Sequence, residues 1–535
     1  MAWRWNGWGD ETIDVPVAPT AAALLERLIG PGDPRPDASL ADVVAAVPTS
    51  RLPADPLVET DPELRVRHAR GQSLPDWVAL RSGRLGAVPD GVARPADGAA
   101  VRRLLELAAT TGAAIIPYGG GTSVVGGIDP SPAPDGPPVL TISLERLAGL
   151  RSFDERSGLA TFGAGTMGPA VEAALAPGGW TLGHYPQSFE RSTVGGWVAA
   201  RSTGQQSLGY GRIEALFAGG RLEAPAGTLE LPPHPASAAG PDVRQLVLGS
   251  EGRLGILTEA ILRVAPSPER EAVPAFVLPD FDHGLEAARE LARSRMPLSM
   301  VRLSTPTETR TTLAMSGHPR LVRLLDGYLA ARGHGGYHGC LLIVAITGRR
   351  RLVDAAAREV RATVGDHGGV VAPGGLGRRW LAERFRAPYL RNGLWDAGYA
   401  VDTLETAAPW STIPPLATAI AKALRTGLLD DGERVHAFSH LSHVYPTGSS
   451  LYTTYVFRRA ADPDATLARW RRLKAAASEA VVALGGTISH QHGVGTDHAP
   501  RLAAEKGVLG IAAIADVARR LDPDGRMNPG KLLVP

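Results

Sequence analysis

The sequence predicts an α+β fold in two units behind a helical N-terminal extension, and three observations carry that prediction. Between residues 88 and 268 the chain runs in short apolar stretches punctuated by glycine, with helical patterns set between them. From residue 272 onward, apolar strands alternate with long amphipathic helices. Pro266-Ser267-Pro268-Glu269 separates the two patterns and reads as a domain boundary.

Residues 1–86 open with Trp3-Arg4-Trp5-Asn6-Gly7-Trp8-Gly9, an aromatic cluster too dense for a mobile tail, and continue through proline-rich stretches at 31–36 and 51–56. This is a helical extension pinned to the body by its tryptophans. In residues 87–268, Asp97 caps a helix whose apolar face is Val101, Leu104, Leu105 and Ala108, and Gly112 stops it. A short buried strand at 113–116 then delivers the chain into Pro117-Tyr118-Gly119-Gly120-Gly121-Thr122-Ser123. Consecutive glycines leave main-chain N–H groups unshielded, which suits the close approach of a pyrophosphate. Taken alone this is a weak signal. The helix precedes the glycines, whereas the dinucleotide fingerprint places its helix after them, so a nicotinamide site is disfavoured. Apolar runs at 139–144, 158–163, 245–248 and 257–264, with a helix at 167–176, predict a mixed domain whose second half is mostly antiparallel.

The second unit, residues 269–487, should hold strands at 275–278, 299–303, 340–347 and 451–457. Helices are expected at 283–295, 352–367, 416–428 and 465–484. Residues 488–535 carry His490-Gln491-His492-Gly493-Val494-Gly495, a terminal helix, and Asn528-Pro529-Gly530-Lys531.

Composition removes several function classes. With 56 basic against 54 acidic residues, a net charge of +2 and no basic block, the chain has no nucleic-acid footprint, and a small, lipid-like molecule is the expected partner. The single cysteine, Cys340, excludes an internal disulfide and a cysteine-based metal cluster. It reads as a small buried hydrophobe in a reducing cytoplasm. No run approaches the roughly 18 apolar residues of a spanning helix, and neither a signal sequence nor a peroxisomal tripeptide is present, so a cytoplasmic location is expected.

Set beside Ser192-Thr193-Val194-Gly195-Gly196-Trp197, the run Gly249-Ser250-Glu251-Gly252-Arg253-Leu254-Gly255-Ile256 and the terminal Asn528-Pro529-Gly530-Lys531, the glycine turn gains specificity. In the order and spacing of these motifs, over about residues 74–535, the chain resembles the flavoproteins of the vanillyl-alcohol oxidase and para-cresol methylhydroxylase (PCMH) fold. That resemblance implies a two-subdomain PCMH-type FAD-binding domain with an α+β cap domain for substrate. It implies FAD, held without a covalent link because Tyr118 and Ser123 occupy the stretch where tethering relatives use His or Cys. Pro117, Gly119, Gly120, Gly121, Thr122 and Ser123 would wrap the pyrophosphate, and Ser192, Thr193, Gly195 and Gly196 would approach the flavin and phosphates. Glu251, Gly252 and Ile256 would lie by the adenine half, with Asn528 completing the cofactor set.

Within that fold, Arg4-Trp5-Asn6-Gly7-Trp8-Gly9, Val301-Arg302-Leu303, Tyr389-Leu390-Arg391, Glu405-Thr406-Ala407-Ala408-Pro409-Trp410, His443-Val444-Tyr445 and the His490–Gly495 run are similar to the alkylglycerone-phosphate synthases. The resemblance implies exchange of the acyl group of acyl-dihydroxyacetone phosphate for a fatty alcohol. It makes Tyr445 the general acid/base, places His490 and His492 at the flavin edge, gives Arg302 support of the flavin site and Arg391 the substrate phosphate, and turns Glu405 toward substrate. Peripheral membrane contact and a homodimer are left open. Gln491 departs from the pattern: it stands where the synthases have the middle of three histidines and where 2-hydroxy-acid dehydrogenases of the fold have a carboxylate. The Asn-Pro-Gly-Lys ending is that of the dehydrogenases, so an FAD-linked 2-hydroxy-acid dehydrogenase or oxidase is the alternative reading. A third, a flavin-binding scaffold, would make Tyr445 and the histidines accidental.

The exchange needs a base for the C1 proton, an acceptor for the carbanion and a clamp for the phosphate. Tyr445 can be that base only if a neighbouring cation lowers its pKa from about 10. His490 and His492, two apart, would share one face of a strand and supply it. Arginine suits the phosphate through its bidentate fork. A zinc site of His490 and His492 with His498 or His443 is disfavoured because Gln491 removes the acidic ligand, so no metal is expected.

Overall fold

The computed structural model describes residues 3–130, 136–315, 323, 327–331, 338–373 and 375–534. The N-terminal extension is helical as expected, with helices Pro19–Ile29, Leu40–Ala45, Pro62–Arg67 and Leu74–Ser82, and it lends one short strand, Val58–Glu59, to the first sheet. The tryptophan cluster is docked rather than loose. Trp8 is buried with Trp77 and Trp395, its N–H donates to Asn392 Oδ1 (3.1 Å) and its carbonyl accepts from Asn392 Nδ2 (3.0 Å). Gly9, at φ 81°, has Tyr389 ring carbon 2.3 Å from where a Cβ would stand, so the opening motif and the Tyr389–Arg391 motif form one joint.

Asp97 caps the helix Gly98–Thr111 by accepting from Ala100 N (2.7 Å), and Gly112 ends it in the left-handed region at φ 73°. Its apolar stripe packs on a four-stranded sheet ordered Val58–Glu59, Gly91–Ala93, Val139–Ser143, Ala114–Tyr118, of which the last three strands run parallel. The glycine turn therefore emerges at the carboxyl edge of parallel strands, where open α/β sheets bind ligands. The antiparallel half is a five-stranded sheet ordered Leu150–Asp154, Leu159–Gly163, Ile256–Arg263, Phe217–Ala224, Gly227–Leu231. One expected strand is absent: the run at 245–248 lies in a short helix, Arg244–Val247, which buries Val247 and leaves Leu246 44% exposed. Four residues, three of them apolar, carry too little periodicity to separate strand from helix.

The cap is built on a large antiparallel sheet whose path is Val370–Val371, Ala275–Leu278, Cys340–Gly348, Leu298–Ser304, His436–Leu441, Gly448–Arg458, Tyr399–Pro409. Helices Phe281–Arg293, Arg350–Asp366, Ile413–Thr426 and Pro463–Ala483 bury their apolar faces with the inner residues of these strands in one core. Along Tyr399–Pro409 the residues Ala400, Leu404 and Ala408 enter that core. Strand alternation then turns Glu405 to the opposite face, level with Tyr452 and, one strand further, His440. After the helix Leu502–Leu521 the chain returns to the first unit, where Asn528 N donates to Ile115 O (2.7 Å) and Met527 is fully buried. Among the described residues, no helix is long and apolar enough to cross a membrane.

Candidate active site

The expected cofactor motifs converge. A Cβ on Gly120 would lie 1.9 Å from Arg191 O, one on Gly119 2.5 Å from Thr193 Oγ1, and Gly121 sits at φ 67°. The glycine turn is thus pressed onto the Ser192-Thr193 turn, and Thr193 caps the following helix through Gly196 N (3.3 Å). No hydrogen bond joins the main-chain N–H of Gly119, Gly120, Gly121, Thr122 or Ser123 to another described residue. Pro117 packs under Gly252, which at φ 75° leaves 2.8 Å between its notional Cβ and Pro117 Cγ, and Ile256 opens a buried strand beside them. Asn528 donates through Nδ2 to Gly127 O (2.9 Å) and Glu251 O (2.6 Å), while its Oδ1 is buried without a partner. A concave set of unused donors, an unused amide acceptor and glycines at van der Waals limit fit a dinucleotide with its pyrophosphate on the turn.

Glu251 departs from expectation. Its carboxylate, at a residue with φ 50°, accepts from Val494 N and from Gly495 N (2.7 Å), so it ties the loop that follows His490 to the first unit. Burial pushes this carboxyl up to about 7 against those two donors.

The groups expected to react meet at the face of the cap sheet. Tyr445, on the two-residue strand Val444–Tyr445, has its hydroxyl 2.6 Å from His490 Nε2. His490 Nδ1 stands 3.3 Å from Glu405 Oε1, within ion-pair range, although the ring N–H is not aligned as a hydrogen bond and Nδ1 is left unsatisfied. Glu405, 3% exposed, also accepts from Ser442 Oγ and from Gln491 Nε2 (2.5 Å), and His443 Nε2 lies 4.0 Å from it. Burial alone would raise this carboxyl, but the His490, His443 and His492 imidazoles hold it well below the usual carboxylate range. Both oxygens of Glu405 are thus engaged by protein groups.

Three further expectations change. Residues 488–495 form no strand, because His490 N and Thr487 N bond Glu405 O and Ala407 O at an irregular crossing. His490 and His492 consequently do not share a face: His492 makes an edge contact with the Tyr452 ring at 5.7 Å. The Tyr445 phenol is not lowered by the histidines either; burial pushes it up to about 12, and Arg212 is the group that pulls it down. Arg302 spends its guanidinium on Ser304 Oγ (3.0 Å) and Glu308 (2.5 Å), with His440 on the other Glu308 oxygen (2.8 Å). These contacts tie Arg302 into the cap sheet.

Arg391 meets expectation differently: it is part-buried, lies over the Trp77 ring at 4.3 Å, and donates through Nη1 to Gln72 O. Its Nη2 has no partner and no carboxylate ion-pairs with it among the described residues. Burial pulls this guanidinium down to about 10. Sequence reasoning missed Arg212, whose Nη2 donates to His490 O (3.0 Å) and whose Nε meets Glu214 (3.1 Å), and the supporting pair Ser442 and Ser207, the latter 3.4 Å from His443 Nδ1. No local motif surrounds Arg212; only its fold neighbours give it a role. Glu405, His443 and His490 offer three potential ligand atoms within 4.8 Å of one another, a trio that excludes His492 and His498.

Two family models cover most of the chain: "FAD binding domain" over residues 89–230 and "FAD linked oxidases, C-terminal domain" over residues 267–532. The chain belongs to the FAD-linked oxidase family. It is an FAD-dependent enzyme. A relative from Dictyostelium discoideum, alkyldihydroxyacetonephosphate synthase, is 29% identical over 575 aligned positions, covering 99% of this chain and 93% of its own. A solved alkyldihydroxyacetonephosphate synthase superposes with a TM-score of 0.84 at 27% identity, covering 98% of each chain. A 4-ethylphenol oxidase from Gulosibacter chungangensis, at 13% identity and TM-score 0.67, covers 94% of this chain and 98% of its own and shares the fold.

Proposed function

We propose that this protein exchanges the acyl group of acyl-dihydroxyacetone phosphate for a fatty alcohol, the reaction of an alkyldihydroxyacetonephosphate synthase. The observation that carries the reading is the Tyr445–His490 contact at 2.6 Å, set against a buried carboxylate. When bound, FAD supplies the electrophilic ring on which the substrate's carbanion electrons can rest. Every other task belongs to the chain.

A phenol near 12 is a poor base by itself, so Tyr445 works through its neighbour. As His490 Nε2 takes the hydroxyl proton, the phenolate oxygen takes the proton from substrate C1. The acyl group leaves as a carboxylate, the incoming alcohol bonds to C1 and gives its proton to that carboxylate, and C1 regains the proton the pair has kept, so one fatty acid is released for each ether formed. Electrons balance without an external oxidant. The unpartnered Nη2 of Arg391, on a part-buried guanidinium with no carboxylate in ion-pair range among the described residues, is suited to the substrate phosphate.

The Asn-Pro-Gly-Lys ending does not weigh toward a dehydrogenase, since Asn528 and Lys531 bond Gly127 O, Glu251 O and Asp129 O on the cofactor side, away from the reacting groups. A buried lone thiol at Cys340 supports a cytoplasmic setting. Incubation of the purified protein with acyl-dihydroxyacetone phosphate and a long-chain alcohol, followed by mass spectrometry for the ether product, tests the reading; release of neither ether product nor fatty acid would overturn it.

A further inference from the structure

Glu405 is the most completely enclosed carboxylate of the site, and burying an ion of that kind is costly unless its partners are fixed. Two neutral donors set its orientation: Ser442 Oγ holds Oε1 and Gln491 Nε2 holds Oε2 at 2.5 Å. The Oε1 edge is then presented to His490 Nδ1 at 3.3 Å. At the far side of the same ring, Nε2 is 2.6 Å from the Tyr445 hydroxyl. A hydroxyl can donate to that nitrogen only if the nitrogen carries no proton, which places the ring proton on Nδ1, toward the carboxylate. His490 O is meanwhile held by Arg212 Nη2 at 3.0 Å and His490 N by Glu405 O at 3.1 Å, so the main chain that carries the ring is fixed between Tyr445 and Glu405.

We propose that Glu405 is a positioning residue that acts through His490, keeping the ring proton on Nδ1 so that Nε2 is the acceptor of the Tyr445 proton. Phenol, imidazole and carboxylate form a chain in which one proton moves, from Tyr445 Oη to His490 Nε2. The Nδ1 proton stays in place, and Glu405 remains ionised and offsets the charge that the ring acquires. The proposal rests on the acid/base reading of Tyr445 and His490.

A double-mutant cycle tests it. Glu405→Gln keeps the shape and removes the charge; it should retain FAD, leave KM within about threefold and lower kcat by roughly a hundredfold to ten-thousandfold, the range for acid/base groups and their orienting carboxylates. Introduced into His490→Gln, the same change should cost less than about threefold, because its route of action is already gone. Losses that multiply in the double variant would overturn the proposal. If the wild-type protein shows no exchange, the reading of the reaction fails and the proton placement is decided separately by one-dimensional proton NMR. A low-field imidazole N–H resonance should be present in the wild type, retained in Tyr445→Phe, absent in His490→Gln and moved upfield in Glu405→Gln. Should Glu405→Gln fail to fold, the wild-type and His490→Gln spectra still decide. Absence of the resonance in the wild type, with stoichiometric zinc in the purified protein, would overturn the proposal and give the Glu405, His443 and His490 trio to a metal.

Discussion

Tyr445 and His490, 45 residues apart, are joined by a 2.6 Å hydrogen bond between a cap strand and an irregular loop. The loop is held from both sides: Glu405 O receives His490 N, and the Glu251 carboxylate receives Val494 N and Gly495 N from the cofactor domain. Formation of the acid/base pair is therefore coupled to docking of the two units.

Removing the Tyr445 hydroxyl alone should separate chemistry from assembly. Tyr445→Phe keeps the ring, so FAD content and thermal stability should stay near wild type while kcat falls by about a hundredfold to ten-thousandfold. A loss below tenfold, measured under substrate saturation, would remove Tyr445 from the proton path.

Arg391 makes a prediction about substrate charge. Arg391→Ala should weaken binding of a phosphorylated substrate by on the order of 2 to 5 kcal/mol, since the dianion would lose a desolvated partner. A dephosphorylated analogue should be affected far less. Equal loss for both, compared through kcat/KM, would count against the phosphate role.

The glycine turn predicts how FAD is held. With a Cβ 1.9 Å from Arg191 O, which is main chain and cannot give way, Gly120→Ala should purify without yellow colour, whereas Gly365→Ala, on an open helix face, should retain it. In the wild type, acid precipitation should release all the flavin to the supernatant, as expected of a turn whose own side chains, Tyr118, Thr122 and Ser123, include no His or Cys. Flavin remaining with the pellet would contradict this.

Glu251 should make apoprotein stability pH-dependent. Its folded-state pKa is raised by burial from 4.5 to about 7, so the folded chain binds this proton more tightly than the unfolded one. The associated stability is fully present below the unfolded value and is lost as pH rises through about 7, amounting to on the order of 3 kcal/mol. Denaturation midpoints measured from pH 5 to 8 should fall more steeply for wild type than for Glu251→Gln; parallel curves would show that the carboxyl titrates normally.

The glycine turn, the Asp97 cap, Gly112 and the cap helices were legible because local patterns specify them: a side-chain acceptor before an apolar repeat, a left-handed stop, consecutive glycines after a strand. The strand Tyr399–Pro409 was not, since Asp402 and Glu405 interrupt its apolar alternation and are explained only by Trp470, Lys474 and the imidazoles that fold against them. Tyr445, His490 and Arg391 were found through motif resemblance, but their geometry was not. Spacing two suggested a shared face for His490 and His492, yet the period-two rule applies to strands and the chain there is a loop pinned by two neighbouring elements. The contacts of Arg302 were hidden for a similar reason: no local motif announces that Glu308 pairs with it and that His440 pairs with Glu308.

The account turns on a reaction that leaves no electrons behind. Purified protein is mixed under nitrogen with many equivalents of acyl-dihydroxyacetone phosphate and a fatty alcohol while the flavin spectrum and the ether product are followed together. The account predicts product far beyond one equivalent per flavin, with the oxidised spectrum restored when substrate is exhausted. Bleaching of the flavin by D-lactate, glycolate or 2-hydroxyglutarate after a single equivalent, with no ether product from the other mixture, would contradict it.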